Sequence, residues 1–189
     1  MIVIVILVGI CLAYLWMIHP QNLKAEKWEG FRHHYYAHRG LHDAQSNIPE
    51  NSIAAFLKAV ENGYGIELDV QLTKDGIPVI FHDVKTGRLL RDETGAVVNK
   101  ILTELTLEEL QRYHLLTSKE QIPLFEDVLK LVDGKVPLIV ELKVANPSTD
   151  INALCTKADQ LLQKYRGLYC VESFHPACVN WYRKNHPEI

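Results

Sequence analysis

The chain has 189 residues, 23% of them charged and 48% hydrophobic, with a formal net charge of −3. These values exclude a disordered tail, a collagen-like repeat and a basic nucleic-acid binder. The hydrophobic residues are unevenly spread: Met1 to Ile18 carries no charge, and Gly9 is its one residue that is not apolar.

Ile2 to Ile18 makes about 26 Å of helix at ~1.5 Å per residue, the short end of what spans a ~30 Å hydrocarbon core. Tyr14 and Trp16 near its far end suit a membrane interface, and His19-Pro20 stops it. A cleaved signal peptide would need a basic start and a small-residue cleavage site, and neither is present. Residues 1–19 are therefore expected to be one uncleaved transmembrane anchor. Lys24, Lys27 and Arg32 after it favour a cytoplasmic position for the rest of the chain. Cys11, Cys155, Cys170 and Cys178 show no CxxC or zinc spacing, so neither a disulfide framework nor a zinc site is expected.

The polar stretch 20–34 is expected to be a linker, and 35–189 a globular domain in which β-like runs alternate with helical ones. In chain order these are a strand at Tyr35–His38, a helix at Ser52–Asn62, and strands at Gly65–Leu72 and Pro78–His82. A charged interruption follows from Arg88 to Ser118, with a capped helix start at Thr106-Leu-Glu-Glu-Leu. Then come a helix at Leu124–Val132, a strand at Val136–Lys143, a helix at Asp150–Tyr165, a strand at Leu168–Phe174 and a helix start at Pro176. Such alternation implies parallel β/α units.

Strand periodicity then places the chemistry. In Gly65–Leu72 the side chains of Glu67 and Asp69 share one face, opposite Ile66, Leu68 and Val70. In Val136–Lys143 the pair Glu141 and Lys143 repeats the pattern. Carboxylates facing the interior of a helix-covered sheet are costly unless paired or metal-bound. Glu67, Asp69 and Glu141 together suit a hard divalent cation, Mg²⁺ or Ca²⁺. His38 and His82, expected at the same ends of neighbouring parallel strands, fit a general acid and base pair. Arg39 offers a planar fork for phosphate oxygens. Glu50 and Ser173 are expected near the site, as a turn or ligand contact and as a helix cap or site-facing hydroxyl.

His38-Arg39-Gly40, Pro49-Glu50-Asn51, Glu67-x-Asp69, Thr73-x-Asp75-Gly76, His82-Asp83, Glu141-x-Lys143 and Ser173-Phe174 occur in the order of the glycerophosphodiester phosphodiesterases, and the chain resembles that family from about Tyr35 onward. The resemblance implies a TIM-type (β/α)8 barrel and metal-dependent hydrolysis of glycerophosphodiesters to glycerol 3-phosphate and an alcohol. It implies His38 and His82 as the acid/base pair, Glu67, Asp69 and Glu141 as metal ligands, and Arg39 and Lys143 on the phosphoryl group. Pro123-Leu124-Phe125 departs from the family's usual Pro-Thr-Leu. A whole barrel takes ~250 residues, so residues 35–189 are expected to supply about five of eight β/α units, with the carboxyl-terminal part missing. Competing readings are a lysophospholipase D or phosphatidylinositol phospholipase C acting on lipid substrates, and an inactive binding module.

Overall fold

The computed structural model describes residues 2–18 and 25–187. The chain divides into two compact units, one up to His33 and one from His34.

The first unit holds helices α1 (Ile2–Ile18) and α2 (Ala25–Arg32). The expected helix thus forms, and its apolar side chains from Ile4 to Leu15 are exposed. It has 17 residues, and among the described residues no helix is long and apolar enough to cross a membrane. The expected transmembrane anchor is therefore not supported by the described residues. The stop at His19-Pro20 and the basic Lys24 lie outside the described residues, as do the side chains of Trp16 and Lys27. The stretch expected to be a bare linker contains α2.

The second unit runs β1 (Tyr36–His38), α3 (Ile53–Glu61), β2 (Gly65–Leu72), β3 (Pro78–Ile80), β4 (Leu90–Arg91), α4 (Leu107–Leu110), β5 (His114–Leu115), α5 (Phe125–Val132), β6 (Leu138–Leu142), α6 (Ile151–Leu162), β7 (Tyr169–Glu172) and α7 (Pro176–Asn185). Local chemistry sets several ends. Ser52 Oγ accepts from the Ala55 amide at 3.1 Å and starts α3; Asp150 Oδ1 does the same for α6 at Ala153. Thr106 and Glu109 form a reciprocal capping box on α4. Asp133, in the left-handed region at φ 48, ends α5.

β1, β2, β6 and β7 form a parallel sheet in that order. Its helix-side residues Ile66, Leu68, Val70, Leu138, Val140 and Leu142 pack with α3, α5, α6 and α7 into the main core. β3 corrects the expected pattern, because it pairs antiparallel with the end of β2, Val70 opposite Ile80. The Asp69 carbonyl accepts from Phe81 and the next carbonyl, Val70, accepts from Lys143 after β6. Consecutive carbonyls point to opposite edges, so β3 occupies the edge that β1 leaves at Glu67. The sheet therefore has four parallel strands, and residues 81–122 form an excursion from it. That excursion builds its own core from Phe81, Leu89, Leu90, Val98, Leu102, Leu105, Leu110, Leu115 and Ile122, with β4 and β5 paired antiparallel.

Candidate active site

The face of the sheet away from the helices is polar. Alternation along β2 sends Glu67, Asp69 and Gln71 to it, and all three are buried. Register aligns Asp69 with Glu141 of β6, and Glu141 with Glu172 of β7. His38 lies opposite Glu67. One side of a parallel sheet thus collects four carboxylates at the carboxyl ends of its strands.

Glu67, Glu141 and Glu172 each offer an oxygen within 4.8 Å of the others. Burial first, then the charges of Asp69 and Glu141, push the Glu67 carboxyl up to about 7. Burial and the same two neighbours raise Glu172 as well. Three hard oxygen donors gathered this closely fit a divalent cation. Asp69, expected as a metal ligand, stands beside this trio, and its Oδ1 is buried without a hydrogen-bond partner. Its Oδ2 accepts from Asn51 Nδ2 at 2.8 Å and lies 3.5 Å from Arg39 Nε. Its Oδ1 lies 3.2 Å from Lys143 Nζ, which also donates to Glu141 Oε1 at 2.8 Å. Glu172 escaped the sequence reading although the same alternation, carried onto β7, points to it.

The turn after β1 brings in the cations. Arg39 has φ 59, and its amide donates to Glu67 Oε2 at 3.0 Å. Next to it Gly40 has φ 78, and a Cβ there would stand 2.9 Å from that of Ala55, so a side chain would push the turn off the start of α3. Arg39 Nη1 donates to Glu50 Oε1 at 2.9 Å. Burial works against ionisation of Glu50, but hydrogen bonds from Arg88 and Arg39 outweigh it and hold its carboxyl at about 2. Asn51, at φ 54, is buried, while its neighbour Ser52 caps α3.

His38 is mostly exposed, with Nε2 3.9 Å from Glu67 Oε2. Burial and the neighbouring Arg39 lower its pKa. His82 does not end a parallel strand as expected. It reaches the site because the β2–β3 hairpin folds the chain back along β2. Gln71 Nε2 donates to the carbonyls of Phe81 and Asp83 at 2.7 and 3.0 Å and pins this return; its place two residues after Asp69 was the signal for it. Asp83 Oδ1 lies 2.7 Å from His82 Nδ1, an arrangement in which the ring donates from Nδ1 and keeps Nε2 for chemistry.

His82, Asp83, Glu141, Lys143, Ser173 and Phe174 line a cleft of about 480 Å³. Phe174 is 92% exposed and lies under Lys143 Nζ, 5.8 Å from its ring centre. Ser173 Oγ donates to the Leu142 carbonyl at 2.7 Å and accepts from the His175 amide at 3.1 Å, so it ties β7 to β6 and shapes the turn into α7.

The chain is similar to known proteins. The model of the glycerophosphoryl diester phosphodiesterase family matches residues 38–180. A glycerophosphodiester phosphodiesterase of Bacillus altitudinis is 31% identical over 82% of this chain and 63% of its own length. An Oleispira antarctica phosphodiesterase, solved with the product sn-glycerol-3-phosphate, superposes with a TM-score of 0.71 at 25% identity over 84% of this chain and 64% of its own. A glycerophosphodiester phosphodiesterase of Agrobacterium tumefaciens gives 0.65 at 21% identity, over 82% and 64% of the two chains. The chain thus spans just under two thirds of the length of these relatives, and its sheet is of the TIM-type α/β kind they share. With residues 38–180 matched by the family model, the chain belongs to the glycerophosphoryl diester phosphodiesterase family.

Proposed function

We propose that the protein is a metal-dependent phosphodiesterase that hydrolyses glycerophosphodiesters to glycerol 3-phosphate and an alcohol. The observation that carries this reading is the gathering of Glu67, Glu141 and Glu172 within 4.8 Å, beside His38, His82, Arg39 and Lys143 and at one end of the parallel strands.

Glu67, Glu141 and Glu172 would hold Mg²⁺ or Ca²⁺, with Asp69 orienting the surrounding cations. Such an ion supplies Lewis-acid polarisation of the phosphoryl group. Lys143 Nζ, at the cleft wall, and Nη2, the remaining nitrogen of the Arg39 fork, bind the non-bridging phosphoryl oxygens. They stabilise the charge that develops there. His82 exchanges a proton at Nε2, held in that tautomer by Asp83. His38 supplies the second proton-transfer group at the end of β1. Between them one proton leaves the attacking oxygen as its bond to phosphorus forms, and one reaches the departing alkoxide as its bond breaks. The exposed Phe174 ring presents an apolar surface to the substrate's carbon skeleton.

The direct test is release of glycerol 3-phosphate from glycerophosphocholine and glycerophosphoethanolamine with Mg²⁺ or Ca²⁺ added. The expected result is turnover that EDTA abolishes and fresh metal restores. Turnover of lysophospholipids alone would transfer the site to a lipid phosphodiesterase, and no turnover of either class overturns the reading.

A further inference from the structure

Arg88 belongs to none of the motifs that carried the resemblance, and it lies on the excursion, outside the parallel sheet. Its side chain is 46% exposed, yet it makes two forked contacts. Nη1 and Nη2 donate to Glu50 Oε2 and Oε1 at 2.6 and 2.7 Å. Nε and Nη2 donate to Asp83 Oδ2 and Oδ1 at 2.7 and 3.1 Å. Exposed ion pairs are normally worth little, but a doubly forked guanidinium is the geometry in which that rule weakens. Both carboxylates go on to grip the site: Glu50 Oε1 accepts from Arg39, and Asp83 Oδ1 accepts from His82. Arg39, Glu50, Arg88, Asp83 and His82 form one unbroken line from the turn after β1 to the return after β3.

We propose that Arg88 is a positioning residue that sets the phosphoryl-binding Arg39 and the proton-transferring His82 relative to one another. These two groups arrive from strands of opposite direction, and no backbone pairing joins β1 to β3. Arg88 supplies the missing tie. The backbone beneath it is rigid: Thr86, fully buried, donates from Oγ to the Val98 carbonyl at 2.5 Å and accepts from the Lys100 amide at 3.0 Å. Without Arg88 both carboxylates lose one guanidinium, Glu50 is left to Arg39 alone, and Asp83 keeps only the imidazole. Lysine carries the charge but cannot fork to two carboxylates at once.

The role rests on the phosphodiesterase reading only where turnover is measured, so the test pairs turnover with a signal that needs no activity. In the full chain, Arg88→Gln is expected to lower kcat by about 10- to 100-fold, the scale of a misplaced catalytic group, with KM changed far less. In the same variant the ring ¹⁵N signals of His82 are expected to move from a fixed Nδ1–H tautomer toward the average of a mobile ring. Arg88→Lys should recover part of both effects. Arg112→Gln, which breaks an exposed pair with Glu108 on the same excursion, should leave both readouts at their original values. Unchanged His82 signals in Arg88→Gln overturn the proposal, whether or not the protein turns over any diester. If Arg88→Gln does not fold, Arg88→Lys decides, and wild-type His82 signals in that variant overturn the proposal equally.

Discussion

The parallel sheet and the excursion at 81–122 each have a hydrophobic core, but they treat charge in opposite ways. The sheet buries its carboxylates side by side, and burial with mutual repulsion drives Glu67 up to about 7. At the seam with the excursion, carboxylates are matched with guanidinium groups, and Glu50 is held at about 2. The first arrangement stores unfavourable charge that a cation can relieve. The second spends ion pairs on holding geometry. A site needing both a binding charge and fixed proton-transfer groups draws each from a different region.

The sharpest way to break this comparison is to remove one acid of the trio. Glu141→Gln is expected to lower turnover by more than about 100-fold, the scale of losing one charge-stabilising group, with little change in thermal midpoint because a crowded negative charge has gone. A large loss of stability would instead make Glu141 a structural partner of Lys143.

Core truncations come next. Leu68→Ala is expected to cost about 2–5 kcal/mol, since Leu68 is fully buried in the main core. Leu102→Ala removes an equally buried side chain from the excursion. Its cost should fall locally, with amides of residues 84–116 exchanging by opening that leaves the sheet protected. Uniform exchange across both regions in Leu102→Ala would show one cooperative unit.

The two regions also answer pH with opposite signs. Glu50, depressed from 4.5 to about 2, contributes stability that is present above pH ~4.5 and lost as pH falls toward 2, on the order of 3 kcal/mol at ~1.4 kcal/mol per pKa step. Glu67, raised from 4.5 to about 7, binds its proton more tightly in the folded state, so stability falls as pH rises between those values. Urea midpoints in metal-free buffer from pH 3 to 8 should therefore peak near pH ~4.5, where the two contributions meet. Glu67→Gln should flatten the descent and leave the acid limb intact.

The smallest effect sharpens the ligand set. Glu172→Gln should weaken Mg²⁺ or Ca²⁺ binding by about 10-fold or more by calorimetry, the range that metal-site partners commonly show. Asp69→Asn should instead act mainly on the orientation of Asn51 and Lys143. If only the Asp69 change weakens binding, the ion sits on the other side of Glu141.

Much of this was legible because it is periodic or local. β2 runs over the eight residues its alternation marks out, with Glu67 and Asp69 turned away from Ile66, Leu68 and Val70. The Thr106–Glu109 capping box and the start of α7 at Pro176 follow from side chains within one turn. Only five residues separate Leu72 from Pro78, too few for a parallel crossover, which needs a dozen or more. Thr73-Lys-Asp-Gly76 is hairpin punctuation, and the antiparallel β3 was readable there. Glu172 and Gln71 were within reach of the same alternation that found Glu67.

The amino-acid sequence by itself carried the resemblance to the family, through the order of its motifs, and set which strand faces carry acids, through a period of two that acts within a few residues. Only the tertiary structure brought Glu172 within 4.8 Å of Glu67 and Glu141, set Asp69 beside Asn51 and Lys143, and placed Arg88 between Glu50 and Asp83. These depend on strand register and on a chain that leaves the sheet and returns, bringing together residues as far apart as Glu50 and Arg88, which no local pattern encodes.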